Sequence, residues 1–151
     1  MPKLMKKLNT ISRTQALFRQ REIEKLGIYD LSPAKHTMVL AICRNPGVTG
    51  EWLARELCIN KSTVTRAIAS LLADGYIERI PNSSDKRELF IYPTEKMTAA
   101  LPIVREISRR WWELISAGLS DEEIEKFDTL LTKIEKTARG VLMEDEHEAD
   151  I

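Results

Sequence analysis

The chain has 151 residues, of which 43% are hydrophobic and 30% charged, a composition that fits one globular domain with a buried core. Because no segment approaches the roughly 18 consecutive apolar residues of a membrane-spanning helix, we expect a cytoplasmic protein without a membrane anchor. The two cysteines, Cys43 and Cys58, match neither a zinc pair nor a CxxC redox motif, and we interpret both as core thiols.

The formal net charge of zero hides an uneven distribution of charge. Residues 1–112 contain 19 Lys and Arg against 11 Asp and Glu (net +8), whereas residues 113–151 contain 4 against 12 (net −8). A basic body with an acidic end is suited to binding a phosphate backbone on one side. The last segment, 144–151, is expected to be a disordered acidic tail.

The first two predicted helices are separated by a short turn. An amphipathic pattern predicts a helix near residues 4–26, which Gly27 ends. Ser32 is the expected N-cap of the second helix, with Pro33 at its first position, where a missing amide hydrogen costs nothing.

Two further helices form a predicted helix-turn-helix at about 50–73. Thr49 and Asn60 are the expected N-caps. The turn between the helices has only about three residues, the length that a helix-turn-helix requires.

The fourth helix has an apolar face and a polar face. At about 100° per residue, one cluster of apolar residues lies on the side that packs inward: Val64, Ile68, Leu71 and Leu72. The outward side carries small and hydroxyl side chains and one long cation, a surface that fits a DNA major groove because small groups let the backbone approach and Arg can bind guanine. An ordinary solvated helix face is the alternative. The outward residues are Ser62, Thr63, Arg66, Ala69 and Ser70.

Two β-rich runs, 76–80 and 88–92, predict a hairpin with a polar tip. Lys86 and Arg87 in the tip can enter a minor groove, where the negative potential favours Arg. Asp85 is placed to orient Arg87 through a charge-assisted hydrogen bond. An exposed mobile loop is the alternative, but the position of the hairpin directly after a recognition-type helix favours DNA binding.

The segments 57–66, 74–79 and 85–87 resemble the multiple antibiotic resistance regulator (MarR) family, and the Asp-x-Arg pattern of the hairpin is the most specific part of the match. The resemblance implies a mainly α, six-helix winged-helix protomer that dimerises through its terminal helices and regulates transcription by binding a palindromic operator. The chain departs from the family at Cys58, where Gly is usual, and at Met97. The predicted DNA contacts are Lys61, Ser62, Thr63, Thr65, Arg66, Asp85, Lys86 and Arg87.

We therefore expect one domain, 1–143. Its dimerisation helices are predicted at 1–30 and 94–143, on either side of a winged-helix lobe at 31–93 whose wing spans about 76–92. The expected function is that of a ligand-responsive repressor acting as a homodimer on double-stranded operator DNA.

The apolar pattern of the two predicted C-terminal helices indicates a dimer. A capping box at 120–123 precedes apolar residues spaced by alternating steps of three and four. A long helix before it, about 94–117, contains Pro102. A second copy of the chain would hide the apolar surface, and a two-fold dimer places two recognition helices about one DNA turn apart. The alternative is an intramolecular bundle in a monomer.

Other functions have weaker support. The two histidines, His36 and His147, accompany no Gly-rich phosphate loop, metal triad or nucleophile elbow, so we expect neither an enzyme nor a cofactor or metal. A winged-helix protein-interaction module and a metal- or redox-sensing regulator are the alternatives. The resemblance implies a small-molecule effector bound between the two lobes, although the tryptophans also fit an ordinary core. The candidate lining residues are His36, Arg109, Trp111 and Trp112.

Overall fold

The computed structural model describes the main chain of residues 2–149 and the side chains of residues 3–142. It is mainly helical with one antiparallel β-hairpin, so the predicted fold class is confirmed. In chain order the elements are α1 (Pro2–Leu26), α2 (Pro33–Arg44), α3 (Gly50–Leu57), α4 (Lys61–Ala73), β1 (Ile77–Pro81), β2 (Leu89–Pro93), α5 (Glu95–Ser116) and α6 (Asp121–Ala149).

Side-chain caps begin the two helices on either side of the predicted turn. Thr49 Oγ1 accepts a hydrogen bond from the Trp52 amide at 3.1 Å, and Asn60 Oδ1 accepts one from the Thr63 amide at 2.8 Å. Both bonds satisfy amides that have no partner inside the helix. Ser32 occupies the N-cap position of α2 but makes no side-chain capping bond.

The core collects one face each of α2, α3, α4 and α5 together with the inner side of the hairpin. On α4, Val64, Ile68 and Leu71 are buried as the helical periodicity predicted, at 0–8% exposure, whereas Leu72, predicted on the same face, is half-buried. This packing determines which side of α4 faces outward. Residues of the core with at most 3% exposure include Met38, Val39, Ile42, Leu53, Val64, Leu71, Tyr76, Ile77, Ile91, Met97 and Val104.

The chain divides into two compact units, Met1–Trp111 and Trp112–Ile151. The division falls inside α5, not at the predicted lobe boundaries, and it coincides with the change from net positive to net negative charge. In the second unit, α6 is helical to Ala149, past residue 144, where the disordered tail was expected to begin. Residues 150 and 151 lie outside the described part of the chain. No helix within residues 2–149 is long and apolar enough to cross a membrane.

Cys58 ends α3 in the left-handed conformation, with φ 52° and ψ 44°. It is the only non-glycine residue with a positive φ among residues 2–149. Its side chain is exposed, so the interpretation of Cys58 as a core thiol is wrong. The reason is that a left-handed residue turns the chain out of the helix, and its side chain leaves the packed face. Cys43 is half-buried, and burial raises the pKa of its thiol.

We predict that Cys58→Gly stabilises the protein, because glycine adopts the left-handed conformation without the strain of a Cβ atom. The expected gain in the free energy of unfolding is about 1 kcal/mol. Cys58→Ala is the matched control, since it removes the thiol and keeps the strain. Urea denaturation of the three proteins measures the difference, and equal stability of the Gly and Ala variants would contradict the prediction.

Candidate nucleic-acid interface

The outward side of α4 is a short polar surface. Lys61, Ser62, Thr65 and Arg66 are exposed there, while Thr63 is half-buried. The hydroxyl of Ser62 donates to Asn60 Oδ1 at 2.9 Å, and that of Thr65 donates to the Lys61 carbonyl at 2.8 Å. Each hydroxyl oxygen still has lone pairs that can accept a hydrogen bond from a ligand. Arg66 makes no ion pair with any residue of the described part of the chain.

The tip of the hairpin is shaped by hydrogen bonds within it. The Asn82 side-chain amide donates to Glu88 Oε2 at 2.7 Å, and the Ser84 amide donates to Asn82 Oδ1 at 2.9 Å. Asp85 Oδ1 accepts from the main-chain amide of Arg87 at 3.0 Å. The prediction that Asp85 holds the Arg87 side chain is therefore wrong. Two residues apart in a turn, the carboxylate lies beside the amide, and it fixes the loop instead of the guanidinium.

The hairpin is attached to the segment before α3. The Ile91 amide donates to the Val48 carbonyl, and the Gly47 amide donates to the Ile91 carbonyl, both at 2.8 Å. Gly47 has φ 90°, and a Cβ atom there would lie 3.0 Å from the Tyr92 hydroxyl oxygen. Glycine is thus required where the chain passes β2. This attachment sets the hairpin beside the start of α3 and the outward side of α4.

A cleft of about 510 Å³ lies between the start of α3, α4 and the hairpin. It brings together three of the predicted contacts: Thr65 from α4, and Asp85 and Arg87 from the hairpin. The other five predicted contacts do not line it. The residues of the cleft wall are Thr49, Gly50, Glu51, Thr65, Ile68, Ala69, Arg79, Asp85, Arg87, Glu88, Leu89 and Ile91.

Arg79 is a further cation of this surface, and it was not among the DNA contacts predicted from the sequence. It lies on β1 opposite Ile91, is exposed, and makes no ion pair within the described residues. The position of Arg79 could have been predicted from the alternation of side chains along a strand, which places residue 79 on the same side as the buried Ile77. The burial of β1 alternates only weakly, since four of its five residues are exposed.

The four predicted effector-contacting residues have different surroundings. His36 on α2 is fully buried, whereas Arg109 is exposed and pairs with Glu106 at 2.6 Å. The ring of Trp111 packs on Phe18, with centroids 5.3 Å apart. Trp112, in the second unit, is 41% exposed. The described residues contain no group of three His, Cys, Asp or Glu side chains that could hold a metal ion.

Three helices of the first unit contribute buried polar atoms that have no hydrogen-bond partner among the described residues. These atoms are both ring nitrogens of His36, Arg19 Nε and Ser108 Oγ. Burial lowers the pKa of His36 to about 4, and the charge of Arg19 acts in the same direction. The Leu31 main chain opposes them less strongly, and its contact with the ring falls short of hydrogen-bond geometry. Buried polar groups of this kind lower stability unless a partner satisfies them.

A helix-turn-helix followed by a β-hairpin defines a winged-helix protein. A sequence model of the MarR family matches residues 29–88. The chain is 30% identical over 126 residues to the HTH-type transcriptional regulator BilQ of Clostridium symbiosum (strain WAL-14163), covering 83% of this chain and 85% of that protein. The chain therefore belongs to the MarR family, a family of transcriptional regulators and not of enzymes.

Solved structures share the fold. A MarR protein from Peptoclostridium difficile superposes with a TM-score of 0.85 at 27% identity, covering 91% of this chain and 88% of that one. A MarR family regulator from Listeria monocytogenes, complexed with a 26mer DNA, superposes with a TM-score of 0.82 at 24% identity, covering 90% and 89%. The second likeness shows the fold alone.

We predict a pH-dependent stability that His36 controls. The pKa of His36 is about 4 in the folded protein against 6.5 ordinarily, so the unfolded chain takes up a proton first as the pH falls. The free energy of unfolding should decrease between pH 6.5 and about 4, by up to about 1.4 kcal/mol per pH unit from this residue.

His36→Leu is the matching variant, because it removes both unpaired nitrogens at similar volume. It should flatten this part of the pH profile and raise stability at pH 7 by about 1–3 kcal/mol. Urea denaturation at several pH values measures both effects. Carboxylates titrate in both proteins and cancel in the difference, so identical profiles would contradict the prediction.

Proposed function

We propose that this MarR family regulator binds a palindromic operator as a homodimer and acts as a ligand-responsive repressor. The observation that carries the proposal is the outward side of α4, with the exposed cation Arg66 among small and hydroxyl side chains. A surface of this shape can approach base edges in a major groove, where Arg binds guanine through two hydrogen bonds.

The cations of the hairpin support the same proposal. Arg79 and Arg87 both line the cleft beside α4, and Lys86 is exposed at the tip. None of the three makes an ion pair within the described residues, so their charges are available to phosphates. With α4 in the major groove, the hairpin tip would reach the flanking minor groove. The Listeria monocytogenes regulator of the same fold was solved with DNA.

Salt dependence tests DNA binding directly. We expect binding of a fluorescent promoter duplex, measured by anisotropy, to weaken steeply as salt rises from 50 to 200 mM, since each phosphate contact releases about one counterion. Absence of binding at low salt would contradict the proposal and favour a winged-helix protein-interaction module. Equal, salt-insensitive binding to single strands would do the same.

Two substitutions separate base contacts from phosphate contacts. Arg66→Ala should cost about 1–3 kcal/mol on the operator and little on random duplex, because a base contact is lost. Lys86→Ala should weaken binding to both duplexes alike. Arg21→Ala, which removes an exposed charge from α1, is the matched control. Equal losses on operator and random DNA would exclude Arg66 from sequence recognition.

An exposed apolar stripe on α6 supports the homodimer. Phe127 is 39% exposed, Leu130 58%, Ile134 52% and Val141 56%, and at 100° per residue the four lie within about 60° of one another around the helix. Apolar side chains at this spacing are typical of a helix that packs against a partner helix. We propose that the partner is the same helix of a second copy.

Ile134→Glu should therefore reduce dimerisation, because it places an uncompensated carboxylate in the apolar contact. We expect a folded monomer with weakened operator binding, and analytical ultracentrifugation together with circular dichroism checks both points. Thr132→Glu, on the opposite side of α6, is the matched control and should remain dimeric. A wild-type protein that is monomeric at micromolar concentration would contradict the homodimer.

The buried polar atoms of α1, α2 and α5 support an effector. Both nitrogens of His36, Arg19 Nε and Ser108 Oγ would gain partners from a polar or anionic small molecule. Contacts from Arg109, Trp111 and Trp112 stay a prediction. A compound that releases the wild-type protein from its operator, and releases His36→Leu far less, supports this site.

Derepression of a reporter gene by the same compound distinguishes a repressor from an activator.

A further inference from the structure

The C-terminal end of α4 is bonded to the start of α5. The carbonyl of Asp74 accepts from Lys96 Nζ at 2.7 Å. The next carbonyl, of Gly75, accepts from Thr94 Oγ1 at 2.7 Å, and that of Tyr76 accepts from the Thr94 amide at 3.0 Å. The three consecutive carbonyls that follow α4 are thus satisfied by Thr94 and Lys96, at the start of α5.

The turn between α1 and α2 reaches the same point. Asp30 Oδ1 accepts from the Tyr76 hydroxyl at 3.0 Å, and Asp30 Oδ2 accepts from Lys96 Nζ at 3.1 Å. Lys35 Nζ donates to the Asp30 carbonyl at 2.7 Å and to Asp74 Oδ2 at 3.2 Å. We call the set formed by Asp30, Lys35, Asp74, Tyr76 and Lys96 the α4–α5 junction.

The junction combines buried and exposed contacts. The side chain of Lys35 is only 11% exposed and Tyr76 is 3% exposed, so water screens their contacts weakly. The side chains of Lys96 and Asp30 are 49% and 35% exposed, so water screens that ion pair more. Lys96 Nζ also lies 4.3 Å from the centroid of the Tyr76 ring, a cation–π contact. Both lysines lie at the end of α4 where the helix dipole is negative. Burial and the neighbouring Asp30 raise the pKa of the Tyr76 hydroxyl, which therefore stays protonated and donating.

We propose that the α4–α5 junction is a positioning device that fixes the direction of α4 relative to α5 and so sets the operator spacing that the protein accepts. The inference rests on the proposed function, since it concerns a dimer that reads two half-sites. α5 continues from the junction into the second unit, which carries the apolar stripe of α6. In the proposed dimer, the angle between α4 and α5 would contribute to the separation of the two recognition helices. A rigid junction makes that separation specific.

The test begins with palindromic sites that the wild-type protein selects from a random duplex library. Binding is then measured to the selected site, to versions with the central spacing changed by one or two base pairs, and to a single half-site. Lys96→Met removes the bonds to Asp30 and Asp74 and keeps the aliphatic chain. Tyr76→Phe removes only the hydroxyl that donates to Asp30. Lys133→Met, an exposed lysine of α6, is the matched control.

We expect Lys96→Met to bind the selected palindrome about tenfold more weakly, a loss comparable with one mismatched base pair. Its half-site affinity should stay within about twofold of wild type, and its preference among spacings should broaden. Tyr76→Phe should show the same pattern more weakly, and Lys96→Arg should restore the spacing preference. Amide hydrogen exchange should show faster exchange at Thr94 in Lys96→Met, without any DNA present.

The outcomes separate the two proposals. If the junction has a purely structural role, Lys96→Met should have a lower melting temperature, and its affinity for every spacing and for the half-site should fall by the same factor. That result would overturn the positioning role. An unchanged spacing optimum and width in Lys96→Met also overturns it, while the proposed function stands. A wild-type protein that selects no duplex site overturns the proposed function, and the positioning role falls with it.

Discussion

Burial of one apolar edge of α4 is the constraint on which the candidate interface depends. Val64, Ile68 and Leu71 are buried in the core, and each contributes roughly 1.5–3 kcal/mol by leaving water. Turning α4 by one residue, about 100°, would expose these side chains and bury Thr63 or Thr65 instead. The exposed polar side of α4 therefore owes its direction to the packing on the opposite side, and not to contacts of its own.

A helix that is held on one side still needs its ends fixed. At its beginning, Asn60 caps α4 and accepts from both the Thr63 amide and the Ser62 hydroxyl. At its end, Gly75 adopts φ 76°, and the amide of Tyr76 donates to the Leu71 carbonyl at 2.9 Å, which closes the helix before β1 begins. The next carbonyls accept bonds from the start of α5. The position of α4 along its axis is thus determined by its ends, while its rotation is determined by its core face.

The sequence predicted the elements and the outward residues of α4 because their signals are local. The caps Thr49 and Asn60 lie within three residues of the amides they bind, and the helical period needs only the spacing of apolar residues. What the sequence did not predict depends on contacts between distant segments. The ion pair of Lys35 with Asp74 joins residues 39 positions apart, and that of Lys96 with Asp30 joins residues 66 apart. Nothing in the composition of either segment indicates such a partner.

The wrong predictions share a physical origin with the missed ones. Asp85 and Arg87 have complementary charges, which favours a side-chain pair, but the closest donor to the carboxylate in a tight turn is the main-chain amide two residues on. Cys58 is apolar enough for a core, yet the left-handed conformation that ends α3 carries its side chain outward. In both cases the main-chain geometry of a turn decides where the side chain lies. Turns flank α4 and form the wing tip, so the sequence predicts side-chain directions there less well than on the outward side of α4, where the helical period sets them.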